Sequence, residues 1–252
     1  MELIILGTHG MYAGPGGATA GYLLRHDGFS LWIDLGSGTL ANLQNHLALL
    51  DVGAVVVSHR HPDHLVDLFP YLYARVYGSE EKVNGTPLFG PPELFDKVTN
   101  LLSGAGAEEL NTSFALHEVR PGSGFDAGPF QIRTAPMAHP VPTIGLRVEA
   151  GGEAFAYTAD TGPTDAIANL AEGVDLLLSE ATWQDDGTAF PPDVHLTATQ
   201  AGEHARRASA KRLMLTHIKP TLDRDRTREE TASTFDGEIL LATEGMVIEV
   251  GK

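Results

Sequence analysis

Within six residues the chain places three imidazoles and a carboxylate, His59-Arg60-His61-Pro62-Asp63-His64. Imidazole with carboxylate is a ligand set suited to Zn²⁺, Mn²⁺ or Fe. His59 and His61 alternate on extended backbone, so both side chains leave on the same side and could share one cation. Asp63 and His64 follow the turn at Pro62 and could reach a neighbouring cation. The 252 residues include no cysteine. Disulfides, thiolate metal sites and thiol nucleophiles are therefore excluded.

Further metal-competent residues stand where apolar runs end. The strand-like run Ala54–Val57 leads into the histidine cluster, Phe155–Thr158 into Asp160, Val174–Leu178 into Glu180 and Leu213–Thr216 into His217, while Phe130–Thr134 precedes His139 by a short loop. Functional side chains on strand ends have a rigid base with a working rim.

Other elements alternate with these strands. Leu3–Leu6 reads as a strand closed by Gly7, and Ala20–Leu24 with Phe29–Ile33 as a hairpin around Asp27-Gly28. Ile144–Val148, Ile239–Leu241 and Met246–Val250 read as strands. Leu40–Leu50, Pro92–Leu102, Thr164–Leu170 and Arg226–Thr234 read as helices. Thr197 with Gln200 forms a capping box opening a helix to about Ala208. The Pro/Gly-rich patches Gly14–Gly17, Gly85–Pro92 and Pro191–Pro192 read as loops within one unit, so residues 1–252 are expected to form a single α/β domain.

The motif His59 to His64, followed in order by His139, Asp160 and His217, resembles the metallo-β-lactamase-fold hydrolase superfamily. The resemblance spans the chain from the opening strand and the Asp34-Leu35-Gly36 turn to His217. It implies a four-layer αββα sandwich with two metals at one edge of the sheets. His59, His61 and His139 would hold one metal. Asp63, His64 and His217 would hold the second, with Asp160 bridging. Two divalent ions are implied, Zn²⁺ first and Mn²⁺ as the alternative. Ser179-Glu180-Ala181-Thr182, His195-Leu196-Thr197 and Leu213–His217 resemble the ribonuclease Z-like phosphodiesterases. There the Glu orients a His that protonates the leaving oxygen, roles that map to Glu180 and His195. Asp63 could bind metal, accept a proton from the attacking water, or both.

Electrostatics narrows the substrate. The net charge is −16, a poor footprint for nucleic acid. The ribonuclease Z tRNA-gripping arm has no room here, because His139 to Asp160 is short and carries Arg147 as its one basic residue. Two dications against Asp63, Asp160 and a hydroxide still leave the site locally positive, and ion charge governs such a site. The expected function is hydrolysis of small phosphodiesters such as cyclic nucleotides, closest to atypical bacterial cyclic-nucleotide phosphodiesterases, without stable nucleic-acid binding. The alternatives are ribonuclease Z-like RNA processing, a lactonase or β-lactamase-like hydrolase, and a metal-binding protein without catalysis.

The remaining candidates are peripheral. His9 reads as a loop histidine near the mouth of the site, Trp183 as a pocket wall, and Asp34 as a support for the metal histidines. Phe69, Tyr71, Tyr73 and Tyr77 divide between core packing and a dimer patch, and a homodimer is expected. His26, His46, His117 and His204 read as solvated or structural, and Lys211 and Arg212 as surface charges. The N-terminus lacks the basic start and long apolar stretch of a signal peptide, and no run approaches a membrane span, so a cytoplasmic protein without membrane partners is expected.

Overall fold

The computed structural model describes residues 1–78 and 80–252. Two seven-stranded sheets lie face to face. The first contains β1 (Glu2–Gly7), β2 (Gly21–His26), β3 (Phe29–Ile33), β4 (Ala54–Val56), β5 (Thr86–Gly90) and β6 (Phe114–Glu118) side by side. The second contains β7 (Gly124–Ala127), β8 (Phe130–Pro136), β9 (Ile144–Ala150), β10 (Glu153–Tyr157), β11 (Leu176–Glu180), β12 (Arg212–Thr216) and β13 (Glu238–Leu241). The last strand, β14 (Val247–Glu249), returns to pair with β1. In the first sheet the pairs β14–β1, β1–β2 and β2–β3 are antiparallel and β3 to β6 run parallel; in the second, β7 to β10 are antiparallel and β10 to β13 parallel.

The layers follow from strand periodicity. Leu3 and Ile5 of β1, Leu31 and Ile33 of β3, and Phe130 and Ile132 of β8 pack between the sheets. Ile4, Leu6 and Trp32 face the opposite way, against α1 (Thr39–Leu43), α3 (Leu68–Tyr77), α4 (Leu94–Leu101) and α5 (Gly104–Ser113). On the far side α6 (Asp165–Leu170), α7 (Ala198–Arg207) and α8 (Arg224–Ala232) flank the second sheet, over Leu177, Leu213 and Leu215. This is the four-layer αββα sandwich expected from the motif. The inner parallel strands are buried on both faces and so read as continuous apolar runs, as in Ala54-Val55-Val56 and Leu176-Leu177-Leu178.

Several elements differ from the sequence reading. Only Thr39–Leu43 of the stretch 40–50 is α-helical, followed by a 3₁₀ turn at Leu49–Asp51. Asn45 and His46 are weak helix formers, and the Arg25 guanidinium takes the His46 carbonyl that a continuing helix would use. The patch 85–92, read as a loop, contains β5. Its Pro87 precedes the ladder with β4, which starts at Leu88, so the missing N–H costs no bond on that side. The strand read as Val174–Leu178 runs Leu176–Glu180, with Glu180 as its last residue. The helix read from Arg226 starts at Arg224, because Asp223 caps it by accepting from the Asp225 and Arg226 amides.

Among the described residues no helix is long and apolar enough to cross a membrane. The stretch between His139 and Asp160 is filled by the β9–β10 hairpin, turned at Gly151-Gly152.

Candidate metal centre

The C-terminal ends of β4, β10, β11 and β12 open onto one edge of the sandwich, and the loops after them supply the site. Past β4 the chain reaches His59, then α2 (Pro62–Leu65), a single turn with Pro62 at its first position. That turn presents Asp63 and His64 consecutively. Gly36 makes the approach possible, since a Cβ there would sit 2.2 Å from the Asp63 carbonyl oxygen. Three non-glycine residues at the site hold left-handed backbone: Asp34, Ala159 beside Asp160, and His217. Such conformations cost roughly 1–3 kcal/mol each and persist where the surroundings impose them.

The imidazoles converge in two lobes. In the first, His61 Nδ1 lies 3.1 Å from His59 Nε2 and 3.0 Å from His139 Nε2. In the second, His64 Nε2 lies 3.2 Å from His217 Nε2, and Asp63 Oδ2 lies 3.2 Å from His217 Nε2. Asp160 stands between them. Its Oδ2 is 3.7 Å from His59 Nε2 and 3.9 Å from His139 Nε2, while its Oδ1 is 3.2 Å from His64 Nε2 and 3.3 Å from His217 Nε2. The groups His59, His61, His139, Asp160 and Asp63, His64, Asp160, His217 each bring four ligand atoms within 4.8 Å of one another.

These contacts fit a cation better than hydrogen bonds. Ligands on a tetrahedral Zn²⁺ at about 2.0–2.1 Å lie roughly 3.3–3.4 Å apart, close to the spacings here. Among the described residues Asp160 Oδ1 is buried with no hydrogen-bond partner, although two imidazole nitrogens lie within ion-pair reach of it. Nitrogens that approach without aligning a hydrogen bond point at a common centre. The His/Asp cluster is thus capable of binding metal ions.

The outward ring nitrogens are held by a second set of contacts. His64 Nδ1 donates to Asp34 Oδ2 at 2.8 Å, and the same oxygen accepts from Tyr157 Oη at 2.9 Å and Ser58 Oγ at 2.8 Å. Ser58 Oγ lies 3.1 Å from His59 Nδ1. His139 Nδ1 donates to the Val194 carbonyl at 2.9 Å. His217 Nδ1 donates to Thr182 Oγ1 at 2.8 Å, which in turn donates to Glu180 Oε2 at 2.6 Å. His61 alone turns Nδ1 inward. Such partners choose the tautomer and orientation of each ligand. Asp34 thus holds the support position expected of it. Ser58, Tyr157 and Thr182 were not singled out from the sequence. Thr182 sits inside the Ser179–Thr182 motif and Ser58 immediately precedes the histidine motif, whereas Tyr157 left no sequence signal.

Glu180 joins the cluster to His195. Its Oε1 accepts from the Thr161 amide at 2.6 Å and from His195 Nδ1 at 3.0 Å. Among the described residues no hydrogen bond engages His195 Nε2, and the ring lines an open cavity. Burial opposes charging His195, but the Glu180 carboxylate beside it pushes its pKa up to about 9. Elsewhere burial and the neighbouring His64 hold His59 well below the usual histidine range, and burial, first, lowers His61 and His139. Neutral rings are what metal ligation requires. Burial also works against a charged His64, yet Asp160 and Asp34 outweigh it and raise the pKa. Burial opposes ionisation of Asp160 and Asp63 too. The charges of His217 and His64 overcome it for Asp160; for Asp63 the hydrogen bond from His217 leads, and both carboxyls stay well below the ordinary range.

His9 lies beside this centre without joining it. Its Nδ1 accepts from the Gly14 amide at 3.1 Å, and it forms a bridge with Ile218. Trp183 packs edge-on against His195 at 5.4 Å. Tyr71 is core, between Trp32 and Phe114, whereas Tyr73 and Tyr77 are exposed on α3. His204 is buried, His26 pairs with Asp27, and His117 stacks on Phe89. Lys211 pairs with Asp175, and Arg212 donates to the Glu249 and Val250 carbonyls.

A two-lobed imidazole and carboxylate cluster on the edge of an αββα sandwich defines a metallo-hydrolase class. The family model described as Beta-lactamase superfamily domain matches residues 32–218, and the chain belongs to that superfamily. It is 34% identical over 243 residues to the uncharacterized protein Rv1339 of Mycobacterium tuberculosis, covering 95% of this chain and 88% of that protein. To the probable metallo-hydrolase YhfI of Bacillus subtilis it is 31% identical over 256 residues, covering 99% and 100%. The YhfI crystal structure superposes with a TM-score of 0.87 at 30% identity, over 98% of both chains. A ribonuclease Z of Mycobacterium bovis is 29% identical over 279 residues, covering 99% of this chain and 98% of that protein.

Proposed function

We propose that the protein is a dinuclear metal-dependent phosphodiesterase acting on small phosphodiesters, with a cyclic nucleotide as the leading substrate. One observation carries this reading: His195, held by Glu180 through Nδ1, presents a free Nε2 on the rim of the two-lobed cluster. A hydrolase that expels an alkoxide needs such a proton donor.

His59, His61 and His139 would hold one ion, and Asp63, His64 and His217 the other, with Asp160 contributing one oxygen to each. Zn²⁺ suits the imidazole-rich set best, with Mn²⁺ as the alternative. When bound, two such ions supply Lewis acidity to the phosphoryl oxygens and to an attacking water. The Glu180 carboxylate keeps Nδ1 protonated and stabilises the imidazolium. The Nε2–H then passes its proton to the departing oxygen. Asp63 would serve as a ligand, since its Oδ2 lies 3.2 Å from His217 Nε2 within the second lobe. The Met11 amide donates to Asp63 Oδ2 at 2.9 Å and fixes that carboxylate further.

Small substrates are favoured over RNA because a tight hairpin stands where the resemblance would place a gripping arm, in a chain of net charge −16. Stable nucleic-acid binding and membrane attachment are therefore not part of the reading, and the cytoplasm is the proposed setting. Lactone or β-lactam hydrolysis would leave the His195–Glu180 pair without a task. Tyr73 and Tyr77 are exposed four residues apart on α3 with their rings 6.0 Å apart, and a second copy of the chain meeting this face would form the proposed homodimer.

The test is direct. Purified protein should hydrolyse 3′,5′-cyclic AMP and bis-p-nitrophenyl phosphate, and lose both activities with a chelator. Stoichiometrically metal-loaded protein with no turnover of either diester would refute the reading.

A further inference from the structure

In the second lobe His64 and His217 are oriented by residues just past strand ends, Asp34 and Thr182. Asp63 is held differently. Among the described residues the one hydrogen bond its carboxylate takes from outside the cluster comes from the Met11 amide. Met11 has left-handed backbone, with φ at 68°, and across it the Tyr12 amide donates to the Gly10 carbonyl at 2.8 Å. A three-residue turn of that hand is rare and strained, and it persists only where the surroundings impose it.

Those surroundings are a glycine-rich loop folded around the His9 ring. His9 Nδ1 accepts from the Gly14 amide at 3.1 Å, and the Gly17 amide closes on the Gly14 carbonyl at 3.0 Å. A Cβ at Gly17 would lie 2.2 Å from His9 Cε1, and one at Gly14 3.2 Å from it, so only glycine lets the chain pass this close. Burial pushes the His9 pKa down, which keeps the lone pair on Nδ1. The ends of the loop are fixed by the Gly10 amide on the Ile218 carbonyl at 3.2 Å and the Ala18 amide on Glu244 Oε1 at 2.6 Å. Between those ends, among the described residues, the bonds Gly14 to His9 and Met11 to Asp63 are the hydrogen bonds that tie the loop to the rest of the chain.

We propose that His9 is a positioning residue for the second metal lobe: its ring shapes residues 10–17 so that the Met11 amide holds the Asp63 carboxylate toward the ion. The proposal rests on the two-ion reading of the centre and names what steers the one ligand there that no strand-end side chain supports. His9 itself touches neither ion nor substrate in this role.

Amide hydrogen exchange on the metal-free full chain reads the loop directly. His9→Ala should speed Met11 exchange at least about tenfold, as loss of a hydrogen bond to a carboxylate implies, while the amides of β3 keep their protection. His9→Asn, whose Oδ1 takes the place of Nδ1, should restore most of it; His9→Phe, a ring without an acceptor, should not. Gly17→Ala should act like His9→Ala, and the double variant should be no worse than either single one, because removing the ring removes the clash. Zn²⁺ competition against a chromophoric chelator should then show His9→Ala binding the second ion roughly 10–100-fold more weakly and the first within about threefold of the parent. Unchanged Met11 exchange in His9→Ala, no recovery in His9→Asn, or unchanged affinity for the second ion would each overturn the positioning role. Should the parent itself take up fewer than two ions, the dinuclear reading fails; the exchange comparison, made without metal, still decides whether His9 holds Met11 on Asp63.

Discussion

Replacing Glu180 by Gln removes one charge while keeping the shape of the site. The Thr161 amide donates to Oε1 at 2.6 Å, so the amide oxygen of the new side chain must take that place, where it still accepts from His195 Nδ1. The amide NH₂ then faces Thr182 Oγ1, which has lone pairs for both it and His217 Nδ1. What changes is the support for a protonated ring. With Glu180 the pKa of His195 stands at about 9. Without the carboxylate it should fall to the ordinary value of roughly 6.5 or lower, because burial then acts with less opposition. At pH 8 the protonated fraction falls from roughly 90% to roughly 3%, a loss of about thirtyfold in any step that needs the proton. At pH 6 roughly three-quarters of the ring stays protonated, and little is lost. The sign is clear: a raised pKa extends activity toward alkaline pH, so the variant loses its alkaline limb first. Bound cations would lower both values together, which leaves the shift between the two proteins as the readout. The assay is kcat/KM against pH for 3′,5′-cyclic AMP, whose alkoxide needs the proton, with bis-p-nitrophenyl phosphate as a control whose phenolate leaves with little help. Metal content is measured alongside. A limb unmoved in Glu180→Gln, with metal retained, would refute the acid assignment.

His195→Ala should cost roughly 10²–10⁴ in kcat for cyclic AMP with metal content near that of the parent, checked by elemental analysis; loss of metal instead would make His195 a ligand. Asp34→Asn should weaken metal binding by roughly 10–100-fold, because the oxygen that fixes His64 Nδ1 and accepts from Tyr157 is replaced or turned, and competition with a chromophoric chelator measures it. Tyr73→Ala with Tyr77→Ala should shift sedimentation from dimer to monomer while cyclic AMP hydrolysis persists. Metal affinity should fall as pH is lowered, since the raised pKa of His64 means that a proton competes with the ion there, and titration calorimetry at two pH values checks it.

The candidate metal cluster was legible because metal chemistry demands particular residue types close together in the chain. Three histidines and an aspartate in six residues announce themselves, strand ends leading to Asp160 and His217 mark two more positions, and His139 follows β8 after a short loop. The apolar runs disclosed an α/β mixture of strands and helices, while the four-layer sandwich followed from the resemblance carried by the motifs. Elements with weak local patterning were not legible. Gly104–Ser113 opens on glycines and alanines, and β5 carries a proline; both form because the sheet and its helical cover need them there. Which oxygen of Asp160 faces which lobe, that Thr182 links His217 to Glu180, and that Tyr157 from the intersheet core reaches Asp34 are facts of packing between segments up to 123 residues apart. Local residue chemistry specifies what a side chain can bind. Only the folded chain, by excluding water and fixing directions, decides which atom it turns toward.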